Sequence, residues 1–354
     1  MNLLKLRILV SLSIAAFALI PINNAAAADA TKACPHTNSD AKFIGKLRLA
    51  GQVTLLPSVQ WGIDNGCYKK YGITIQSNVV ATSQIATAGL IGGSYDVVIT
   101  TPTNLVLANA NEGFGGVIVA PRHGYTPEEL IRAKLEPFFP GEILLQTALI
   151  ARGGSSIRIN NWSDLEGKKI ALQSFLSADH AGIAVAMRKA GADYKKTEFV
   201  TLTSQQMVDA LKRGDIDAGV INDPFATQAI LAGGRVIGYP NAYYAQSGYL
   251  GDSGVAVAYL SNVQTVKKNE KAMRAFQKAT LVINKLLNQP ENEASFRKTY
   301  ITVTGVTAAA AAKVKLPTMI ERNLTPADIS YIPARLFEIG FIRERIKAAP
   351  VIFK

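Results

Sequence analysis

The chain has 354 residues, 48% hydrophobic and only 18% charged, which excludes an extended disordered polymer and predicts about two domains. Its 38 Lys+Arg exceed its 26 Asp+Glu by +12, a balance that on its own fits nucleic acid, an anionic surface or an anionic ligand. Two Cys and three His exclude a cysteine-rich zinc site and leave almost nothing for a histidine-based one.

Lys5 and Arg7 precede an uncharged apolar run, residues 8–20. Crossing a bilayer takes about 20 such residues, so the run is short for a membrane anchor. Pro21 closes it, and residues 25–28 are alanines suited to a signal peptidase. We therefore expect residues 1–28 to be a cleavable signal peptide, cut after Ala28 or alternatively after Ala30, and the mature protein to be periplasmic. Losing Lys5 and Arg7 lowers the charge from +12 to +10, and outside the cytoplasm nucleic acid is no longer an expected partner. The basic residues are also scattered. Lys195-Lys196, Lys267-Lys268 and the cluster at 343–347 read as solvated helix faces. In an oxidising compartment Cys34 and Cys67 have two readings. They pair and staple the N-terminal extension to the first helix, or they remain two free buried thiols.

Beyond the signal, short apolar runs alternate with helical spacing, the pattern of α/β architecture. Residues 46–51 read as a strand, 57–71 as a helix stopping at Gly72, and 73–80 as a strand. A helix over 83–91 ends at Gly92-Gly93. A strand over 96–100 leads to Pro102, which suits a helix's first turn. Residues 115–120 read as another strand, 121–141 as less regular, and 142–151 as strand-like. A second cycle follows: strands at 169–172, 197–202, 218–222 and 235–238, with helices at 179–191, 204–214 and 224–233. After a strand at 255–260 the remainder is mainly helical, over 270–288, 291–299 and 326–340, with a brief alanine helix at 308–312.

No phosphate-cradling loop, dinucleotide fingerprint or nucleophile elbow occurs. His36, His123 and His180 share no ligand spacing, so no metal and no cofactor is expected. Ser177, Asp179 and His180 are triad residue types, but neighbours on one helix cannot face one another as a triad does. Polar residues recur instead where strands hand over to helices: Gln52, Thr100, Thr101 and Thr103, Ser174 and Ser177, and Asp223. In open α/β sheets ligands bind outside the carboxyl ends of strands, and helix N-termini there present free N–H groups. Each such residue also has a plain reading as a helix cap. Their recurrence in both cycles favours one shared ligand cleft.

Three stretches carry a family resemblance. Trp61 to Ile73, with Gly66 and Gly72, is similar to an early "A-x-x-x-G-x-[FY]-x-x-x-G-[IL]" helix. Residues 83–97 resemble a helix followed by a "G-x-x-D-V" strand, and 161–170 resemble "D-L-K-G-K-K-I". Residues 210–218 and Asp223-Pro224 continue the pattern. In that order they resemble periplasmic solute-binding proteins of ABC transporters, of the nitrate/sulfonate/taurine and thiamine-pyrimidine-precursor type. The resemblance covers about residues 45–345.

It implies the type II periplasmic binding protein fold, two α/β lobes joined by two hinge strands. The first part of lobe 1 is then 29–147, lobe 2 is 148–254, and the return to lobe 1 with C-terminal helices is 255–354. It implies a monomer that captures a small organic or anionic solute (sulfonate, carboxylate, nitrate or pyrimidine-like) by lobe closure and delivers it to an ABC permease, without catalysis. An enzyme on the same fold, or a solute-sensing module docking on a membrane receptor, are the alternatives. Carried over by position, Gln52, Trp61, Thr100, Thr101, Thr103, Ser174, Phe175, Ser177 and Asp223 line the cleft, with Trp61 or Phe175 as an apolar wall and Asp223 facing a cationic or hydroxyl group or an arginine. Residues 122–142, with Arg122, His123, Tyr125 and Arg132, exceed the family spacing and read as a lid or, preferably, a surface insertion. Tyr243, Tyr244, Tyr249 and Asp252 form a further polar-aromatic cluster of undecided role.

Overall fold

A computed structural model describes residue 34 and residues 42–135, 143–154, 159–245, 254–344 and 351–354. The expected signal peptide, Tyr249 and Asp252 lie outside the described residues, as does the end of the 122–142 stretch. The first half runs β1 (Gly45–Gly51), α1 (Pro57–Asp64), α2 (Cys67–Lys70), β2 (Ile73–Val79), α3 (Ser83–Ile91), β3 (Val97–Thr100), α4 (Pro102–Glu112), β4 (Gly116–Tyr125) and α5 (Pro127–Leu135). The second cycle runs β5 (Thr147–Ala151), β6 (Lys169–Leu172), α6 (Ala178–Lys189), β7 (Glu198–Thr201), α7 (Ser204–Arg213), β8 (Ala218–Asn222), α8 (Phe225–Leu231), β9 (Arg235–Gly238) and α9 (Pro240–Ala245). Then follow β10 (Gly254–Asn262), α10 (Val263–Lys268), α11 (Glu270–Leu287), α12 (Glu293–Thr304), α13 (Ala308–Lys313), β11 (Thr318–Met319), α14 (Tyr331–Glu338) and β12 (Val351–Ile352).

The strands form two sheets. The first has the order β11-β4-β10-β3-β1-β2, with β12 beside β4; the second has the order β7-β6-β8-β5-β9. Within the first, β1 is parallel to β2 and β3, while β10 is antiparallel to β3 and β4. Within the second, β6 is parallel to β7 and β8, and β5 is antiparallel to β8 and β9. Each sheet thus has a parallel core whose carboxyl ends can face a ligand. The central strands β3 and β5 are buried along their whole length, as expected for sheets covered on both faces.

Several of our sequence boundaries need correction: β5 begins at Thr147 rather than at 142, α12 runs to Thr304 rather than to 299, α14 begins at Tyr331 rather than at 326, and two further stretches differ in kind. Residues 57–71 form two helices rather than one, because Gly66 takes φ +67° between them, a conformation side chains resist. Residues 121–141 are not irregular where described. Strand β4 continues through Pro121, Arg122 and His123 to Tyr125, buried throughout, and α5 follows. Pro121 is tolerated because the pairing of β4 with β10 is interrupted by bulges nearby. Cys34 and Cys67 are joined as a disulfide, Cα atoms 5.5 Å apart. It fastens the chain ahead of β1 to α2, within the core beneath α11. No described helix is long and apolar enough to cross a membrane.

Candidate functional site

The carboxyl ends of the strands converge on one chamber of about 50 Å³ walled by both sheets. Gln52 follows β1, Thr100 ends β3 and Thr101 follows it, Gln173 and Ser174 follow β6, and Asn222 ends β8 with Asp223 just beyond. Two of these groups touch across it: Gln52 Nε2 donates to Gln173 Oε1 at 2.5 Å. Ser83 Oγ, at the start of α3, donates to Gln52 Oε1 at 3.3 Å and orients the amide.

Hydrogen bonding separates residues that serve the fold from residues that face the chamber uncommitted. Ser177 caps α6, its Oγ accepting from His180 N at 3.2 Å. Thr100 Oγ1 accepts from Asn104 Nδ2 at 2.7 Å. Asp223 is fully engaged. One carboxylate oxygen accepts from Thr227 N and Oγ1 at 2.9 and 2.8 Å, and the other from Lys315 N at 2.9 Å. It lines the chamber, but its oxygens meet protein donors, not an arginine. Thr101 occupies the N-cap position of α4 without capping it. Its Oγ1, Ser174 Oγ and Thr54 Oγ1 are buried without a hydrogen-bond partner, and all three residues line the chamber.

Three expected residues lie elsewhere. Trp61 is in the first sheet's core at 1% exposure, its Nε1 donating to Ser295 Oγ at 2.9 Å. It sits on the face of α1 that packs on α12, so it cannot wall the cleft. Thr103 is bonded to Tyr244, hydroxyl to hydroxyl at 2.9 Å, in a separate small pocket. Phe175 is exposed and lines a wider, more apolar vestibule of about 820 Å³ with Thr82, Gln84, Ile91, Leu107 and Leu176. The vestibule and the chamber share Asn104, Gln173 and Ser174. Tyr243 packs edge-on against Trp162, 5.0 Å between ring centroids.

Residues absent from our expected site come from β4 and α6. His123 and Tyr125 line the chamber from β4, so this part of the 122–142 stretch is sheet and not a surface insertion. Arg122 is fully buried beside them and its Nη1 donates to His123 Nδ1. Burial, with the Arg122 charge second, holds His123 well below its ordinary pKa, so the ring is neutral. Asp179 also lines the chamber, deep but with part of its surface open to it. Burial raises its pKa to about 6, against a bond from Asn241 that lowers it. Burial likewise raises Asp223 to about 6, offset in part by its Thr227 and Lys315 bonds.

His180 belongs to no triad. Its Nδ1 accepts from Leu176 N at 3.2 Å, and Phe175, Tyr194, Phe199 and Phe341 surround the ring. Burial lowers its pKa to about 4, which keeps it the neutral acceptor that holds Leu176 at φ +52°. The ring therefore shapes the β6–α6 loop that carries Ser174 and Phe175.

Two sheets with a polar chamber at their facing strand ends define a two-lobed solute-binding protein of the periplasmic type. The family described as "ABC transporter, phosphonate, periplasmic substrate-binding protein" matches residues 68–308, and the chain belongs to it. No curated protein matches the chain in sequence. Among solved structures, it is similar to the alkanesulfonate-binding protein SsuA from Xanthomonas axonopodis pv. citri bound to MOPS, at TM-score 0.68 and 17% identity over 88% of this chain and 99% of that one. The periplasmic aliphatic sulphonate binding protein SsuA from Escherichia coli matches at 0.61 and 18%, over 85% and 95%. The periplasmic nitrate-binding protein NrtA from Synechocystis PCC 6803 matches at 0.62 and 13%, over 84% and 82%. At such identities the likeness establishes the fold, which is the type II periplasmic binding protein fold expected from the motifs.

Proposed function

We propose that the chain captures a small organic solute between its two lobes and delivers it to the permease of an ABC importer. The observation that carries this reading is the set of unpartnered buried hydroxyls, Thr54 and Thr101 from the first lobe and Ser174 from the second, around one chamber. A buried hydroxyl without a partner costs about 1–3 kcal/mol, a cost a bound solute would relieve. Family membership supports the delivery step, and the sulfonate- and nitrate-binding neighbours suggest the range of solutes to screen. On this reading residues 1–28 direct export to the periplasm, the mature chain acts as a monomer, and it turns nothing over. Lobe 1 comprises 29–147 and 255–354, and lobe 2 comprises 148–254. Gln52, Thr101 and Ser174 contact the solute, while Ser177 and Asp223 hold the loops that present it.

The test is native mass spectrometry of protein isolated from its own cells, followed by transport assays with the solute found. An unmodified small molecule released on denaturation, whose uptake requires the chain, is the expected result. Conversion of that molecule by the purified protein would overturn non-catalytic capture.

A further inference from the structure

Resting on the solute-capture reading above, we infer that the solute carries a protonated amine or amidine and that Asp179 is the residue that reads it. The charge census of the chamber leads there. No lysine or arginine side chain lines it among the described residues, and the charged groups that do are Asp179 and Asp223. His123, the remaining titratable ring, is held neutral. Asp223 is saturated by Thr227 and the Lys315 backbone. Asp179 differs. The neutral amide of Asn241 is the neighbour that offsets part of its burial, and no cation among the described residues does so. Tyr125 and Asn241, the other polar groups beside it, are bonded to each other at 3.3 Å.

An ionised carboxylate in that position costs free energy unless a cation arrives, and a solute that brings one recovers it. The unpartnered hydroxyls are the independent sign that the chamber is built for a ligand. Ser174 and Thr54 are 3% and 4% exposed, with Oγ atoms that bond nothing. Together with Thr101 they offer donors to oxygen atoms elsewhere on the solute. A plain anion such as nitrate would satisfy the hydroxyls and leave Asp179 facing like charge. The site therefore selects for the amine rather than for the acid.

Solute pairs that differ only in an amine test this on the mature chain: taurine against ethanesulfonate, 2-aminoethylphosphonate against ethylphosphonate, and ethanolamine against ethanol, by calorimetry and thermal shift. We expect the amine-bearing member of at least one pair to bind at least tenfold tighter, and Asp179→Asn to abolish that preference while the protein keeps its cooperative melt. Asp179→Glu should restore part of it. Equal or tighter binding of the amine-free members, or a preference unchanged in Asp179→Asn, would overturn the inference and leave solute capture standing. Stabilisation by no amine-bearing probe would overturn it as well. Solute capture would then be judged separately, on the molecule released from the native protein.

Discussion

At the scale of single residues, the chamber stores instability. Asp179 is the clearest case, because burial raises its carboxyl to about 6 from an ordinary value near 4. A raised carboxyl binds its proton more tightly in the folded chain than in the unfolded one, so stability falls as pH rises through this window. About two pKa units correspond to at most about 3 kcal/mol, fully felt above pH ~6 and absent below pH ~4. Asp179→Asn should therefore stabilise the solute-free protein at pH 7 by about 1–3 kcal/mol and leave it nearly unchanged at pH 4. Melting curves of both proteins across this range check the sign, and a variant less stable at pH 7 would contradict it. His180 works in the opposite direction. Its pKa is lowered to about 4, so its contribution is intact above pH ~6.5 and is lost as pH falls through about 4. The comparison with Asp179→Asn is therefore needed, since in the wild type the two trends oppose each other. Asp223→Ala behaves differently from Asp179→Asn: it orphans donors at Thr227 and Lys315, and we expect a loss of about 2–4 kcal/mol in denaturant unfolding.

At the scale of elements, most of the fold was legible because strand and helix periods differ. The parallel strands β1, β6 and β8 and the helices α3, α7 and α11 fall within a residue or two of where their patterns place them. Strand β4 was not legible past Ala120. Proline, arginine and histidine interrupt its apolar run, and only the neighbouring β10 and the buried partners of Arg122 make them acceptable there. The site divides along the same line. Gln52, Thr101 and Ser174 could be placed on the chamber wall because the sequence pattern locates strand ends. Trp61 was misplaced because a helical pattern does not tell which buried face it presents. Thr54 needed the tertiary fold, while His123 and Asp179 lay in stretches that the sequence singled out without giving either a ligand role. The disulfide carries a prediction at this scale. Closing a loop with sequence separation 33 stabilises by about 3–4 kcal/mol in the chain-entropy picture. The bridge lies in the first sheet's core, away from the chamber. Cys67→Ser should lower the denaturation midpoint accordingly while leaving solute affinity within about twofold. A large loss of affinity would show that the staple also positions the cleft.

At the scale of the whole molecule, the chamber's 50 Å³ lies far below the roughly 300 Å³ and upward of a small-molecule pocket, so on the capture reading a solute larger than the chamber requires the lobes to part. Contacts that hold them together away from the chamber then set affinity through the closed population alone. Arg188 Nη1 donates to the Glu338 carbonyl at 2.6 Å and Tyr194 Oη to the Ile339 carbonyl at 3.1 Å. Both tie the second lobe to α14, which also packs on α4 of the first. Neither residue lines the chamber, so a change in affinity on removing them cannot come from lost solute contacts. A partly exposed hydrogen bond contributes about 0.5–1.5 kcal/mol. The double variant Arg188→Ala, Tyr194→Phe should thus raise Kd by about 5- to 150-fold and give the solute-free protein a larger radius of gyration in X-ray scattering. The two readouts must move together, because both report one equilibrium between open and closed lobes. A larger radius with unchanged Kd would mean that closure is not coupled to binding. If neither changed, α14 would travel with the second lobe, and the moving boundary would lie between α14 and α4 instead.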